Sequence, residues 1–196
     1  MKIYTITASA FGTNTYLIGD EQTGKAVLID PDGNGKQILA LVEQNGFHLD
    51  AILLTHGHFD HIGAVDTLVE LTGVPVYISD RDAELLKDGI KNASAVFFGK
   101  GILCQTAPVT FKNGDSLTFG NLCFTVRLTP GHTRGSVCFF LDDDVVFTGD
   151  TFFADGYGRT DLYGGNENTL IQSLQKLVPL LRGKSVYPGH GDPLSV

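Results

Sequence analysis

The sequence predicts one α/β domain made of two mixed β-sheets with helices outside. Three observations lead there. The chain has 196 residues, 42% of them apolar and 18% charged, enough to bury one core and too apolar for a disordered chain. Strand-like and helix-like segments follow one another in both halves, as in proteins that layer helices on sheets. No Pro- or Ser-rich linker divides the chain, so residues 1–196 are read as a single unit.

Each element has its own signal. Residues 3–6, 15–18 and 25–29 are β-rich and separated by turn chemistry at Gly19-Asp20-Glu21 and Thr23-Gly24-Lys25. Over residues 35–45, Ile38, Leu39, Leu41 and Val42 recur at helical spacing, and Gly46 supplies a stop. Residues 51–54 form a continuous apolar run of strand length, the pattern of a strand covered on both faces. Residues 61–71 predict a second helix ended by Gly73 and Pro75, and 74–78 a strand. Asp80 is the expected N-cap of a helix running to Lys87.

In the second half, residues 109–111, 116–119 and 122–128 are strand-like, joined at Asn113-Gly114 and Gly120-Asn121. Residues 137–141 and 145–147 flank the acidic turn Asp142-Asp143-Asp144, a hairpin signal. A helix is expected over 169–181, with Leu170, Leu174, Leu177, Val178 and Leu181 on one stripe; Pro179 predicts a kink or an early end. Residues 185–187 form the last expected strand.

Composition removes whole classes of function. Fourteen Lys and Arg against twenty-two Asp and Glu give a net charge of −8, so no nucleic-acid partner is expected. The start, MKIYTITASA, has no apolar run of signal-peptide length and no later segment approaches a membrane span. The three cysteines, at 104, 123 and 138, form neither a disulfide framework nor a CxxC site. They point to a reducing compartment, and the expected location is cytoplasmic.

Five of the six histidines lie at strand-to-loop junctions close to glycine. The first group is Thr55-His56-Gly57-His58-Phe59-Asp60-His61-Ile62-Gly63, directly after the apolar strand. Three imidazoles and a carboxylate within six residues cannot all be core groups, because each buried polar side chain needs a partner. Imidazole and carboxylate are ligand types for zinc, iron or manganese. His132 follows a strand through Pro130-Gly131, Asp150 follows Thr148-Gly149, and His190 follows Pro188-Gly189. Taken singly, each has an ordinary reading as a turn or capping residue. Together, strand ends on one sheet edge converge on one cleft, and five His with two Asp suffice for two metal ions sharing a carboxylate. His48, between Phe47 and Leu49, stands outside the pattern as an exposed loop histidine. Thr55, Thr129 and Thr148 each precede a ligand turn and either hydrogen-bond behind the ligands or cap the turns.

His56-x-His58-x-Asp60-His61, followed by His132, Asp150 and His190, resembles the metallo-β-lactamase-fold hydrolases over the whole chain. The resemblance implies a four-layer αββα sandwich with two divalent metals at one edge of its sheets. It implies that His56, His58 and His132 hold the first metal, that Asp60, His61 and His190 hold the second, and that Asp150 bridges them. Zinc is the first expectation for both, with iron or manganese as alternatives.

Smaller features select within the superfamily. The β-lactamases of this fold commonly carry cysteine or serine at the position matching Asp150, so Asp150 argues against antibiotic hydrolysis. Gly156-Tyr157-Gly158-Arg159-Thr160-Asp161-Leu162 and Tyr187-Pro188-Gly189-His190-Gly191 look like the small glyoxalase II-type, hydroxyacylglutathione hydrolase-like thioesterases. That likeness implies cleavage of small acyl thioesters such as S-lactoylglutathione by attack of a metal-bound hydroxide. Asp60 would ligate and orient the water. The partner is then a small-molecule thioester, including a glutathione conjugate, and the C-terminal helical extension of full-length glyoxalase II is not expected. Arg159 is the candidate for an anionic substrate group, or else pairs with Asp161 or Asp155. Tyr163 and Tyr157 are candidates to flank the substrate, or else pack within the loop. The alternatives are an iron-dependent persulfide dioxygenase using His56, His132 and Asp150, and a lactonase of the same fold. A metal-binding scaffold without turnover is a further alternative, disfavoured by the intact set of seven ligands.

Overall fold

The computed structural model describes residues 1–7 and 10–196. Among the described residues, twelve strands form two six-stranded mixed sheets. The first holds β1 (Lys2–Ile6), β2 (Thr15–Gly19), β3 (Lys25–Ile29), β4 (His48–Leu53), β5 (Val76–Ser79) and β6 (Val109–Phe111), in that spatial order. Its β1–β3 pairs are antiparallel and its β3–β6 pairs parallel. The second runs β12 (Leu194–Ser195), β11 (Ser185–Pro188), β10 (Val145–Gly149), β9 (Val137–Leu141), β8 (Leu122–Leu128), β7 (Ser116–Phe119). Only β10 with β11 is parallel there.

The two-residue period of the strands divides their side chains between two layers. Val27, Ile29, Ala51 and Leu53 face the other sheet, where they meet Phe124, Val126, Phe139 and Phe147. Their neighbours Ala26, Leu28, Ile52 and Leu54 face outward onto Ile38 and Val42 of α1 (Gly35–Gln44) and Val65 and Leu68 of α3 (Val65–Thr72). The second sheet is covered by α5 (Glu167–Leu181), whose Leu177 and Leu181 pack on Cys138, Val146 and Val186. The result is helix, sheet, sheet, helix. The continuous apolar run at 51–54 is therefore covered on both faces, as its sequence predicts.

Several boundaries differ from the sequence expectation. β4 starts at His48 because Lys25 pairs with His48 and Ala26 with Leu49 before a bulge; His48 opens the strand, exposed, instead of lying in a loop. The helix expected over 61–71 is two, α2 (Phe59–Ile62) and α3. They break at Gly63, packed against Asp32, and the Ala64 N–H donates to Pro31 O at 3.0 Å instead of within a helix. The element expected from Asp80 is a 3₁₀ turn over Ala83–Lys87, because Asp82 N–H bonds back to Ser79 O at 3.0 Å and delays the start. α4 (Ser94–Phe98) and β12 carry no clear signal in the sequence. α5 begins two residues early at an Asn166 cap and passes Pro179 to reach Leu181; a proline in the last turn removes little of the ladder. All three cysteines are free, and no helix among the described residues is long and apolar enough to cross a membrane.

Candidate metal centre

Strand ends build the site. β4 leads into His56, His58, Asp60 and His61; β8 leads to His132, β10 to Asp150 and β11 to His190. Glycines let these turns approach one another. Gly149 adopts φ +49°, where a side chain is strained, and a Cβ there would strike Thr55. Gly189 has ordinary φ, but a Cβ on it would overlap Asp150 Oδ1.

All seven predicted side chains come together. His132 Nε2 lies 2.9 Å from His58 Nδ1 and 3.2 Å from His56 Nε2. Asp60 Oδ2 lies 3.5 Å from His190 Nε2 and 3.8 Å from His61 Nε2. Each trio keeps its ligand-type atoms within 4.8 Å of one another. Asp150 lies between them: Oδ2 is 3.5 Å from both His132 Nε2 and His190 Nε2, and Oδ1 is 3.4 Å from His61 Nε2.

Whether this cluster fits a cation is answered by its unpaired atoms. His58 Nε2, His61 Nε2 and Asp150 Oδ1 are buried with no hydrogen-bond partner. An unpaired buried polar atom costs about 1–3 kcal/mol; His61 Nε2 and Asp150 Oδ1 face each other only at 3.4 Å and His58 Nε2 faces no partner, so the three fit a partner that is not protein. Electrostatics agree. Burial, reinforced by the neighbouring imidazoles, holds His56 well below its ordinary range and His58 at about 3, leaving neutral rings with lone pairs to give. Burial opposes ionisation of Asp60, yet His61 and the bond to His190 outweigh it and hold Asp60 at about 2. Asp150 is likewise held well below its usual range against burial, chiefly by His61 and His190. Burial pulls His61 and His190 down, but the carboxylates win, raising His61 well above its ordinary value and His190 to about 9. A centre that gathers protons to offset its carboxylates fits divalent metal.

A supporting layer escaped the sequence reading. Asp30, buried at the end of β3, accepts from Thr55 N at 2.7 Å and Thr55 Oγ1 at 2.5 Å, and holds His61 Nδ1 at 2.9 Å. It lies within reach of His56 and His61 as well, but its oxygens are already engaged, so it orients rather than ligates. A carboxylate ending an apolar strand was the available signal. Asp82 accepts from Gly57 N at 3.2 Å, Gly135 N at 2.7 Å and Thr133 Oγ1 at 2.7 Å, tying the His56–His58 turn to the loop after His132. Nothing in its sequence neighbourhood marks it. Thr13 Oγ1 donates to Asp60 Oδ2 at 3.2 Å, and Asn14 Nδ2 to Pro188 O and Gly191 O at 3.1 and 2.7 Å. Of the three threonines singled out, Thr55 joins the ligand network, whereas Thr129 and Thr148 bond Thr151 Oγ1 and Phe152 O.

Above the ligands lies a cavity of about 190 Å³ reached by Phe11, Phe59, Phe97, Phe153, Tyr157 and Arg159. Arg159 donates from Nε and Nη2 to Asp161, both at 2.7 Å, so of its two readings the ion pair is present. Its carbonyl accepts from His132 Nδ1 at 2.7 Å. Tyr163 does not line this cavity. Its hydroxyl bonds Glu84 Oε1 at 3.2 Å and its ring lies beneath Lys91 and Arg134. His48 is remote from the ligands at the opposite end of β4.

A four-layer sandwich with a buried His and Asp cluster on its strand ends defines a metal-binding α/β protein. The chain belongs to the metallo-beta-lactamase superfamily, whose family model matches residues 8–190. It is 37% identical to the probable metallo-hydrolase YqgX of Bacillus subtilis (strain 168), over all of this chain and 90% of that protein. It is 35% identical to the hydroxyacylglutathione hydrolase GloC of Haemophilus influenzae, over 98% of this chain and 92% of that one. Among solved structures, BLEG-1 B3 metallo-beta-lactamase superposes with a TM-score of 0.93 at 35% identity, covering 98% of this chain and 93% of its own. A di-iron-bound form of TTHA1623 gives 0.83 at 35% identity, covering 98% and 94%.

Proposed function

We propose that the protein is a binuclear metal-dependent hydrolase that cleaves small acyl thioesters. The observation that carries this reading is Asp150, whose oxygens lie 3.4–3.5 Å from His132 of one trio and from His61 and His190 of the other. A carboxylate so placed suits two ions held side by side. The likeness to GloC, whose name states a thioester substrate, supports the choice of bond.

His56, His58 and His132 would hold one ion and Asp60, His61 and His190 the other, with Asp150 shared; zinc is the ion proposed, and the di-iron neighbour makes iron the main competitor. Bound there, such ions supply Lewis acidity toward a carbonyl and lower the pKa of water. The chain does the rest. Asp30 and the Arg159 carbonyl fix the His61 and His132 rings through Nδ1, so each presents Nε2 to the centre. Asp60, anchored by Thr13 and held ionised, orients the water. Cleavage of the C–S bond releases a thiolate, a good leaving group, so no dedicated proton donor is needed.

BLEG-1 bears the name of a β-lactamase at similar identity, so the assay must include a β-lactam. Zinc-loaded and iron-loaded protein would be assayed on S-lactoylglutathione, other acyl thioesters, a lactone, a cephalosporin and glutathione persulfide with oxygen uptake. Thioester cleavage by protein holding two ions per chain is expected. One iron per chain, oxygen uptake on the persulfide and no thioester cleavage would sink the reading.

A further inference from the structure

The cavity over the ligands has walls that no part of the centre requires. Phe11 meets Phe59 edge-on at 4.9 Å, Phe97 at 6.0 Å and Phe98 at 5.7 Å. Phe59 in turn meets Phe97 at 5.4 Å and Phe98 at 5.2 Å. Phe59 belongs to the helix carrying Asp60 and His61, and its N–H donates to Asn92 O at 3.0 Å, which ties that helix to the segment leading into α4. Phe11, Phe97 and Phe98 nevertheless stay 41–45% exposed. Large apolar side chains left open beside a reactive centre mark a binding surface.

Charge on the same walls is absent or already used. Among the described lining residues, Arg159 is the one Lys or Arg, and its guanidinium is paired with Asp161 through Nε and Nη2. The Asp161 carboxylate neutralises the guanidinium, which lies 5.8 Å over the Phe97 ring, so a substrate carboxylate would compete with Asp161 for it within a chain of net charge −8. The volume, about 190 Å³, is below the roughly 300–1,000 Å³ of an ordinary ligand pocket. It takes one small group and leaves the remainder of the substrate outside.

We propose that the Phe11–Phe59–Phe97 wall selects thioesters with an uncharged, apolar acyl group, such as medium-chain or arylalkanoyl, in preference to the hydroxyacyl group of S-lactoylglutathione. The proposal rests on the thioesterase reading above. Water adds to the carbonyl, the C–S bond breaks, and the thiolate leaves with the electron pair and takes a proton; the aromatic wall holds only the acyl substituent.

The test uses zinc-loaded protein and thioesters of one uncharged thiol, N-acetylcysteamine, carrying lactoyl, butyryl, hexanoyl or phenylacetyl groups. Phenylacetyl or hexanoyl should exceed lactoyl in kcat/KM by about tenfold or more, the discrimination that small differences in an apolar pocket provide. Phe97→Ala should lose about tenfold on these and little on lactoyl. Asp161→Asn should free Arg159 and raise the rate on S-lactoylglutathione alone. Titration calorimetry with uncleavable ketone analogues, a methylene replacing sulfur, should show the same order in affinity without turnover. Equal or better use of lactoyl, or a uniform loss in Phe97→Ala, overturns the proposal and leaves the thioesterase reading standing. No cleavage of any thioester by protein with both ions confirmed overturns that reading and this proposal with it.

Discussion

The ligand cage and the rim above it are built on opposite principles. In the cage several side chains are fixed from behind: Asp30 holds His61, the Arg159 carbonyl holds His132, Thr13 holds Asp60, and Asp82 joins the two histidine turns. Its residues sit at strand ends and are mostly buried. The rim consists of phenyl rings, most of them half-exposed, that touch by their edges, and of an exposed ion pair. A cage so constrained can keep its geometry while the rim diverges, which is how one fold serves many substrates. On the proposal above, the choice of substrate belongs to the rim.

The largest expected effect lies at the shared carboxylate. Asp150→Ala should leave less than one ion per chain by plasma mass spectrometry and abolish hydrolysis, whereas His48→Ala, on the far end of β4, changes neither. Equal loss in both variants would mean that the division of the histidines is wrong. One layer out, Asp30→Asn tests whether support from behind matters. Asparagine keeps the volume and tolerates the φ of +49° at this position, but presents an amide to His61. Metal affinity should fall by about 10–100-fold with the circular dichroism unchanged; unaltered affinity would reduce Asp30 to a packing residue.

Protons give the next measurement. In metal-free protein His61 is raised well above its ordinary range and His190 to about 9, so both rings are protonated at pH 7. An incoming cation has to displace those protons. Loading therefore releases protons at pH 7, and affinity rises with pH through about pH 9, where His190 gives up its proton unaided. Calorimetry in buffers of different ionisation enthalpy reads the proton count directly. A count of zero at pH 7 would show that the cage is not held together by charge in the way described.

The cage was legible in the sequence because it obeys local rules. Ligands follow strands, turns follow glycines, and His56 to His61 crowd into six residues that no core could absorb. The strands were legible for the same reason, with Val27 and Ile29 alternating against Ala26 and Leu28. Asp82 was not legible, since its three partners lie 25 to 53 residues away and only the fold brings them together. The break between α2 and α3 was hidden because Pro31 O, from another element, takes the Ala64 N–H. For Tyr163 the sequence leaves two readings open, beside the substrate or packed within the loop, because position in a loop says nothing of which side a ring faces; its hydroxyl bonds Glu84. The aromatic rim was missed because Phe11, Phe59, Phe97 and Phe98 form a unit only in three dimensions.

The smallest expected effect falls where rim and cage share one residue. Arg159 contributes its side chain to the rim and its carbonyl to the cage, where it fixes His132. If the two regions are independent, Asp161→Asn should alter the rim alone. The pair is exposed on both sides, and exposed ion pairs contribute little to stability, so the melting temperature and the metal content should match wild type. The backbone of this segment has separate anchors: Gly158 N–H donates to Asp150 O at 2.9 Å, and a Cβ on Gly158 would overlap that same oxygen. These contacts, not the ion pair, keep the Arg159 carbonyl in place. Loss of metal in Asp161→Asn would show instead that the surface pair holds the His132 ring, and cage and rim would then be one structure rather than two.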